Sequence, residues 1–351
     1  MKKLNLLVGI GAIVVLAIIA LVVRQFLLKP MGSEQVSPTS SLRIGFSLGD
    51  LREERWQKDR DLFLAAAKKM GAYVEVASAN SNADVQNTQV ENMISEKMDV
   101  IVIAPYDSVK IAKVVEEAHK ANIKVISYDR LILGAGVDFY VTFDNVKVGY
   151  MEAAGVTAVT AKGNFAYIGG APTDNNSVLL KQGSMEVLTP LIKSGAIKLV
   201  IDKQTPDWNP DLAYATIEDY LDKGGKLDAV VAANDGTALG VIRALTEHNL
   251  QGKVPVSGQD AELSACQRII AGTQTMTVYK PIPALANKAA EVAVAMAKGE
   301  IPEANNKTND GKVDVPSFYL DPTLVTKENM DATVIKDGFQ AKAQVYQAIV
   351  K

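Results

Sequence analysis

The chain is poor in the residues that most often carry chemistry. Of its 351 residues one is a cysteine, Cys266, and two are histidines, His119 and His248. A single cysteine excludes an intramolecular disulfide, and its setting in ELSACQRIIAG reads as a small buried apolar side chain. Each histidine stands near the end of an expected helix beside polar residues. With no Cys/His pair, no zinc spacing and no P-loop, neither a metal nor a cofactor is expected. Clustered positive charge is missing too. The formal net charge is −3 and no run of one sign occurs, which argues against a nucleic-acid partner, since phosphate affinity needs massed Lys and Arg. Tryptophan occurs only twice, at Trp56 and Trp208, so the placement of each carries weight. At 48% hydrophobic and 22% charged, the rest is ordinary globular composition.

What the chain does have, at its start, is a long apolar run. Lys2 and Lys3 precede LLVGIGAIVVLAIIALVV, residues 6–23, which is long enough to span a bilayer. It ends in Val22-Val23-Arg24-Gln25-Phe26, with no small-x-small cleavage site and no cysteine for lipid attachment. Residues 1–29 are therefore expected to be an uncleaved signal anchor, a transmembrane helix holding the protein on the extracytoplasmic face, with a cleaved signal as the alternative. Flanking charge does not settle the orientation, because Arg24 and Lys29 oppose Lys2 and Lys3. Residues 30–41, PMGSEQVSPTSS, read as a flexible tether.

From residue 42 short β-branched runs alternate with amphipathic stretches of helical period. The runs include LRIGFSL (42–48), AYVEVAS (72–78), DVIVIAP (99–105), IKVISYD (123–129), FYVTFDN (139–145), NFAYIGG (164–170), IKLVIDKQ (197–204), LDAVVAAN (227–234), VPVSGQD (254–260) and TQTMTVYK (273–280). Nearly continuous apolar strands separated by helices predict α/β architecture with doubly covered parallel sheets. About 310 residues of this pattern are too many for one core and predict two lobes.

Strand after strand stops on a polar residue: Asp50, Asp129, Asn145, Asn234, Asp260 and Lys280. In open parallel sheets the C-terminal strand ends face the ligand crevice. Taken singly, several of these are as well explained as helix N-caps or turn residues. Taken together they form a ring of hydrogen-bonding groups at one edge. Both tryptophans stand at such ends. Trp56 opens the helix after the first strand, in LREERWQKDRD, where Trp56, Phe63 and Met70 also make a seven-residue packing stripe. Trp208, in QTPDWNPDLAY, precedes an expected N-cap (Asn209) and a first-turn proline (Pro210), so it also reads as a staple onto Ala213. Two indoles facing a polar ring suit a pyranose, whose C–H faces are apolar and whose hydroxyls each donate and accept.

The stretches DLREERWQKDRD, SYDR, YVTFDNVKVG, GGAPTDNN, AANDGTALG, SGQDAE and GTQTMTVYKPI, in this order, closely resemble the D-xylose-binding branch of the ribose-binding-like (type I) periplasmic sugar-binding proteins. The match runs from about residue 42 to about residue 340. The resemblance implies two similar doubly wound lobes, residues 42–146 plus 281–318 and residues 147–280 plus 319–351, joined by a three-segment hinge that closes on one sugar. It implies that Trp56 and Trp208 sandwich the pyranose. Arg55, Asp129, Arg130, Asp174, Asn176, Asn234, Asp260 and Lys280 would meet its hydroxyls. It implies no enzymatic activity. Membrane-anchored proteins resembling this one work with sensor histidine kinases, so D-xylose sensing through such a kinase is the expected role. The alternative is the substrate-binding component of an ABC-type xylose importer, with the permease as partner. A DNA-binding regulator is excluded by the apolar run where a helix-turn-helix would stand. A glycosidase pair of Asp129 and Asp260 is disfavoured because Arg130 and Lys280 would hold both acids ionised.

Overall fold

The computed structural model describes residues 42–347. The expected anchor and tether, residues 1–41, lie outside the described residues. Among the described residues no helix is long and apolar enough to cross a membrane.

The first lobe is built on a seven-stranded sheet. Five strands come from the first stretch of the chain: β1 (Leu42–Leu48), β2 (Ala72–Ser78), β3 (Val100–Ala104), β4 (Lys124–Tyr128) and β5 (Phe139–Phe143). Two come from far downstream, β10 (Asn306–Asn309) and β11 (Asp314–Leu320). The order is β10-β11-β5-β4-β3-β1-β2, parallel except for the β10 edge. β3 and β5 are buried along their whole length, as strands covered on both faces must be. Helix α1 (Glu54–Lys69) packs on this sheet beside α9 (Ile282–Ala297), and their apolar faces join Phe46, Tyr128 and Val141 in one core. Helices α2 (Ala83–Ser95) and α3 (Ala112–Lys120) cover the other face around Ile101 and Val125.

The second lobe carries a smaller sheet, ordered β7-β6-β8, from β6 (Gly163–Gly169), β7 (Ile197–Gln204) and β8 (Ala229–Ala232). Around it lie α4 (Asn145–Thr157), α5 (Asn175–Lys193), α6 (Pro210–Asp222), α7 (Asp235–Glu247) and α8 (Leu263–Ala271). The short strands β9 (Thr277–Tyr279) and β12 (Thr323–Val325) pair antiparallel. The chain leaves the large sheet after β5, returns through α9, and leaves it again after β11.

The lobes are less alike than the repeating pattern suggested. The run 254–260 does not extend as a strand: only Val256 bridges to Val230, and Gln259 to Val278. The cause is local. The Ser257 hydroxyl takes the hydrogen bond of the Ala232 amide (2.9 Å) and donates to the Ala232 carbonyl (3.0 Å), so a side chain replaces the next rung of the ladder. The stretch after β12, through α10 (Lys342–Tyr346), straps the first lobe to α8. Lys58 Nζ donates to the Phe339 carbonyl (3.0 Å), Gln340 Nε2 to Glu54 Oε1 (2.9 Å), and Gln267 Nε2 to the Gln344 carbonyl (2.9 Å).

Candidate functional site

All ten residues singled out in the sequence line one cavity between the lobes, together with Glu53 and Gln259. Together with the solvent at its mouth it holds about 250 Å³ of space. Most of these side chains arrive just after the C-terminal end of a strand or from the start of the following helix, where such crevices form, while Gln259 and Asp260 come from the bridged loop before α8.

The wall from the first lobe begins at α1. Trp56 is 3% exposed and belongs to the same core as Phe63 and Phe46, so the packing stripe is real and the ring faces the cavity as well. Its Nε1 donates to Glu53 Oε2 (3.0 Å), and the Arg55 and Arg130 guanidinium groups stack over it, 4.2 and 4.9 Å from the ring centroid. Arg55 is shared by three carboxylates: Asp129 at 2.9 Å, Asp59 at 3.2 Å and Asp260 at 3.4 Å. Lys280 Nζ meets Asp260 at 2.9 Å and Asp129 at 3.9 Å. All are buried. Burial alone would raise the Asp129 carboxyl, but Arg55, Lys280 and Arg130 outweigh it and hold it below the ordinary carboxylate range. Arg130 pairs elsewhere, through Nε with Asp174 at 2.8 Å, so Arg55 rather than Arg130 joins Lys280 in holding Asp129 and Asp260.

The wall from the second lobe is assembled differently. Trp208 closes a short 3₁₀ turn, Pro206–Trp208, at φ +54°, a left-handed backbone that a bulky residue rarely adopts. Gly170 makes the seat: a Cβ there would lie 2.1–2.4 Å from the indole carbons. Trp208 Nε1 donates to Asp174 Oδ2 (3.2 Å). Asn209 and Pro210 cap and open α6 as the sequence predicts. The staple onto Ala213 is absent, since Ala213 packs in the core around β8 and Trp208 in a separate cluster with Ala171 and Met276.

The cap reading and the ligand reading coexist at two positions. Asp174 caps α5 through the Asn176 amide (2.9 Å), and Asn234 forms a reciprocal capping box with Thr237. In each, a further polar atom remains for the cavity side: Asp174 Oδ2 meets Arg130, and Asn234 Nδ2 donates to Glu53 Oε1 (3.4 Å). Asp260 is no cap, since Glu262 holds that place before α8. Asn145 is displaced as a cap by Asp144, and its amide instead supports Asn176 from behind (3.1 Å). Asn176 Nδ2 in turn reaches Asp129 Oδ1 (3.1 Å). Asp129 and Asp260 both sit at positive φ, +59° and +94°. Hydrogen bonds from Tyr140 and Thr142 to the Asp129 carbonyl, and from the Asp260 amide to Val278, pin these strained backbones.

Sequence reasoning missed three groups. Asp59, one helical turn after Arg55, was legible as an i,i+4 pair. Gln259 stood next to Asp260 in a motif already quoted. Glu53 stands in the charged stretch LREERWQKDRD, one residue before α1. It keeps some exposed surface, yet its carboxylate lies deep among protein atoms. Burial, with Asp260 and Asp50 nearby, pushes it up to about 7 against the pull of Arg130 and Arg55.

The cavity thus combines two aromatic walls with charged and amide groups of both kinds, able to donate to and accept from a small polyhydroxylated ligand. The Periplasmic binding protein domain family matches residues 44–301. The chain belongs to the periplasmic binding proteins. Within the family it is 49% identical to the D-xylose-binding periplasmic protein of Haemophilus influenzae, over 92% of this chain and 99% of that one. It is also 49% identical to the Escherichia coli protein of the same name, over 87% of this chain and 92% of its relative. Among solved structures, a carbohydrate transporter solute-binding protein from Chloroflexus aurantiacus in complex with D-glucose is 32% identical and superposes with a TM-score of 0.80, covering 87% of this chain and 98% of that one. Like these relatives, the chain is a binding protein and not an enzyme.

Proposed function

We propose that the protein binds D-xylose in the cavity between its lobes, on the extracytoplasmic side of the membrane, and serves as the substrate-binding component of a sugar importer. The observation that carries this is the pairing of Trp56 and Trp208 on opposite walls of one polar cavity, in a chain half identical to two D-xylose-binding relatives. The pyranose faces stack on the indoles. Asp129, Asp174 and Asp260 accept hydrogen bonds from the hydroxyls, and Arg55, Arg130, Lys280, Asn176 and Asn234 supply donors. The lobes are proposed as residues 42–146 plus 281–318 and residues 147–280 plus 319–351, with the last crossing moved past Leu320 because β11 stays paired to β5, and they close on the sugar because the closed form binds it better. A pentose is selected over a hexose by crowding where a hydroxymethyl group would project.

The importer role is favoured over kinase-coupled sensing. The sensing expectation rests on residues 6–23 alone, whereas the 32%-identical structure from Chloroflexus aurantiacus is that of a carbohydrate transporter solute-binding protein. The test is calorimetric titration of the full chain with D-xylose, D-glucose, D-ribose and L-arabinose, with tryptophan fluorescence followed in parallel. One-to-one xylose binding with a fluorescence change is expected. Binding of glucose in preference to xylose would overturn the specificity and keep the site. No response to any sugar would overturn the reading of the cavity.

A further inference from the structure

Away from the cavity, Glu218 and Asp222 stand one turn apart on α6, and His248 caps the C-terminus of α7 beside them. His248 Nε2 lies 3.3 Å from Glu218 Oε1 and 3.7 Å from Asp222 Oδ1, and one ligand atom from each of the three falls within 4.8 Å of the others. Ligands about 2.0–2.2 Å from a tetrahedral zinc ion are separated by about 3.4 Å, so these spacings suit neighbouring positions around one ion. The second carboxylate oxygen of Glu218 is buried without a partner. An imidazole–carboxylate ion pair leaves that oxygen unused, whereas a two-oxygen grip on a cation engages it. Both helices end here, so their negative dipole ends add to the two carboxylates. Asp222 is 66% exposed, which leaves an entry path and room for water ligands.

The geometry points to a divalent transition-metal site formed by Glu218, Asp222 and His248, with zinc the fitting ion by its mixed nitrogen and oxygen ligands. Its place in the fold gives it a role. α6 begins two residues after Trp208, and α7 directly after Asn234. The first turn of α6 packs on the middle of α7 so closely that a Cβ on Gly240 would lie 2.0 Å from the Pro210 carbonyl oxygen. At 1.5 Å per residue, Glu218 and Asp222 lie about 12 and 18 Å along α6 from Pro210, and His248 about 20 Å along α7 from Asp235. The ion staples the far ends of the two helices that present one wall of the cavity, without touching that wall.

The test uses tag-free full chain, stripped with chelator and titrated with zinc chloride by calorimetry and with cobalt chloride by visible absorption. One zinc per chain, a cobalt d–d band and a higher Tm with zinc are expected. Loss of even an outer hydrogen-bond partner of a metal ligand typically costs about 10–100-fold in affinity. His248→Asn, which removes the only nitrogen ligand, is therefore expected to weaken zinc by about 100-fold or more, and Asp222→Asn by less. His119→Ala should change nothing, and xylose affinity should stay within about twofold with or without zinc, given the separation of the two ends. Absence of a cobalt band, or equal zinc binding by wild type and His248→Asn, would overturn the site. Xylose affinity that collapses on zinc removal would overturn the stapling role as stated.

Discussion

The two tryptophan walls reach the same cavity by opposite routes. Trp56 lies in the first turn of a regular helix, on a face the sheet core already needs, and the charges around it are packed against one another. Trp208 lies on a strained turn, seated on a glycine, in a small cluster. One wall is a by-product of core packing, and the other exists only because a local backbone holds it. Stability should therefore be concentrated on the Trp56 side, and adaptable recognition on the Trp208 side.

The sharpest way to break this comparison is to remove each arginine. Arg55→Ala strips Asp59, Asp129 and Asp260 of their shared cation in a buried setting. Breaking one side of such a buried network costs about 3–5 kcal/mol. Arg130→Ala lifts one guanidinium from the Trp56 ring and leaves Asp174 short of its ion pair, but that carboxylate keeps hydrogen bonds from Trp208 and the Asn176 amide, so about 1–3 kcal/mol is expected. Urea denaturation measures both, and equal losses would dissolve the asymmetry.

The indoles themselves give the next contrast. Trp56→Ala opens a hole in the large core and should cost about 3–5 kcal/mol, with Trp208→Ala at or below the low end of that range because fewer apolar neighbours surround it. Sugar affinity should fall in both. A Trp208→Ala protein as destabilised as Trp56→Ala would show that the strained turn bears more of the fold than its surroundings suggest. A finer cut is Gly170→Ala. The added methyl displaces the Trp208 ring, so sugar affinity should drop by about 10- to 100-fold, or about 1.4–2.8 kcal/mol, while the Tm moves little. Unchanged affinity would mean that the ring is not held flat by its glycine seat.

This asymmetry also explains what was legible beforehand. Strands β1 to β8 fall on the apolar runs because each is a local pattern of β-branched residues. β10 and β11 were not foreseen: NKTN has no apolar alternation, and DVPSFYL carries Pro316, tolerated there because only the short β10 edge lies beyond it. At the cavity, the polar strand ends were readable from position alone. Their partners were not, since Arg55 meets Asp260 across 205 residues and Arg130 meets Asp174 rather than Asp129. A sequence shows which charges reach an edge, but pairing among them is decided by closure of the whole fold. Glu53 escaped for the same reason. One residue before a helix, it looks like a solvated charge, and one of its partners, Asn234, arrives from the other lobe.

Glu53 supplies the smallest effect and the cleanest sign. Its folded-state carboxyl titrates at about 7, above the ordinary 4.5, chiefly through burial. Below about pH 4.5 it is protonated folded or unfolded, and its contribution to stability is fully present. Between 4.5 and 7 the folded protein holds a proton that the unfolded chain has released, so stability falls as pH rises, and above 7 the fall is complete. Asp59, raised to about 6, and Asp235, raised to about 7, push the same way, whereas Asp129, held low, adds stability that is lost only on strong acidification. Glu53→Gln keeps an acceptor for the Trp56 indole and removes one titration, so the decline in urea-unfolding stability between pH 4.5 and 7 should become shallower without disappearing. Gln at this position with a slope as steep as wild type would mean that the Trp56 flank does not bury this charge, and that its wall is as open to solvent at the rim as the other.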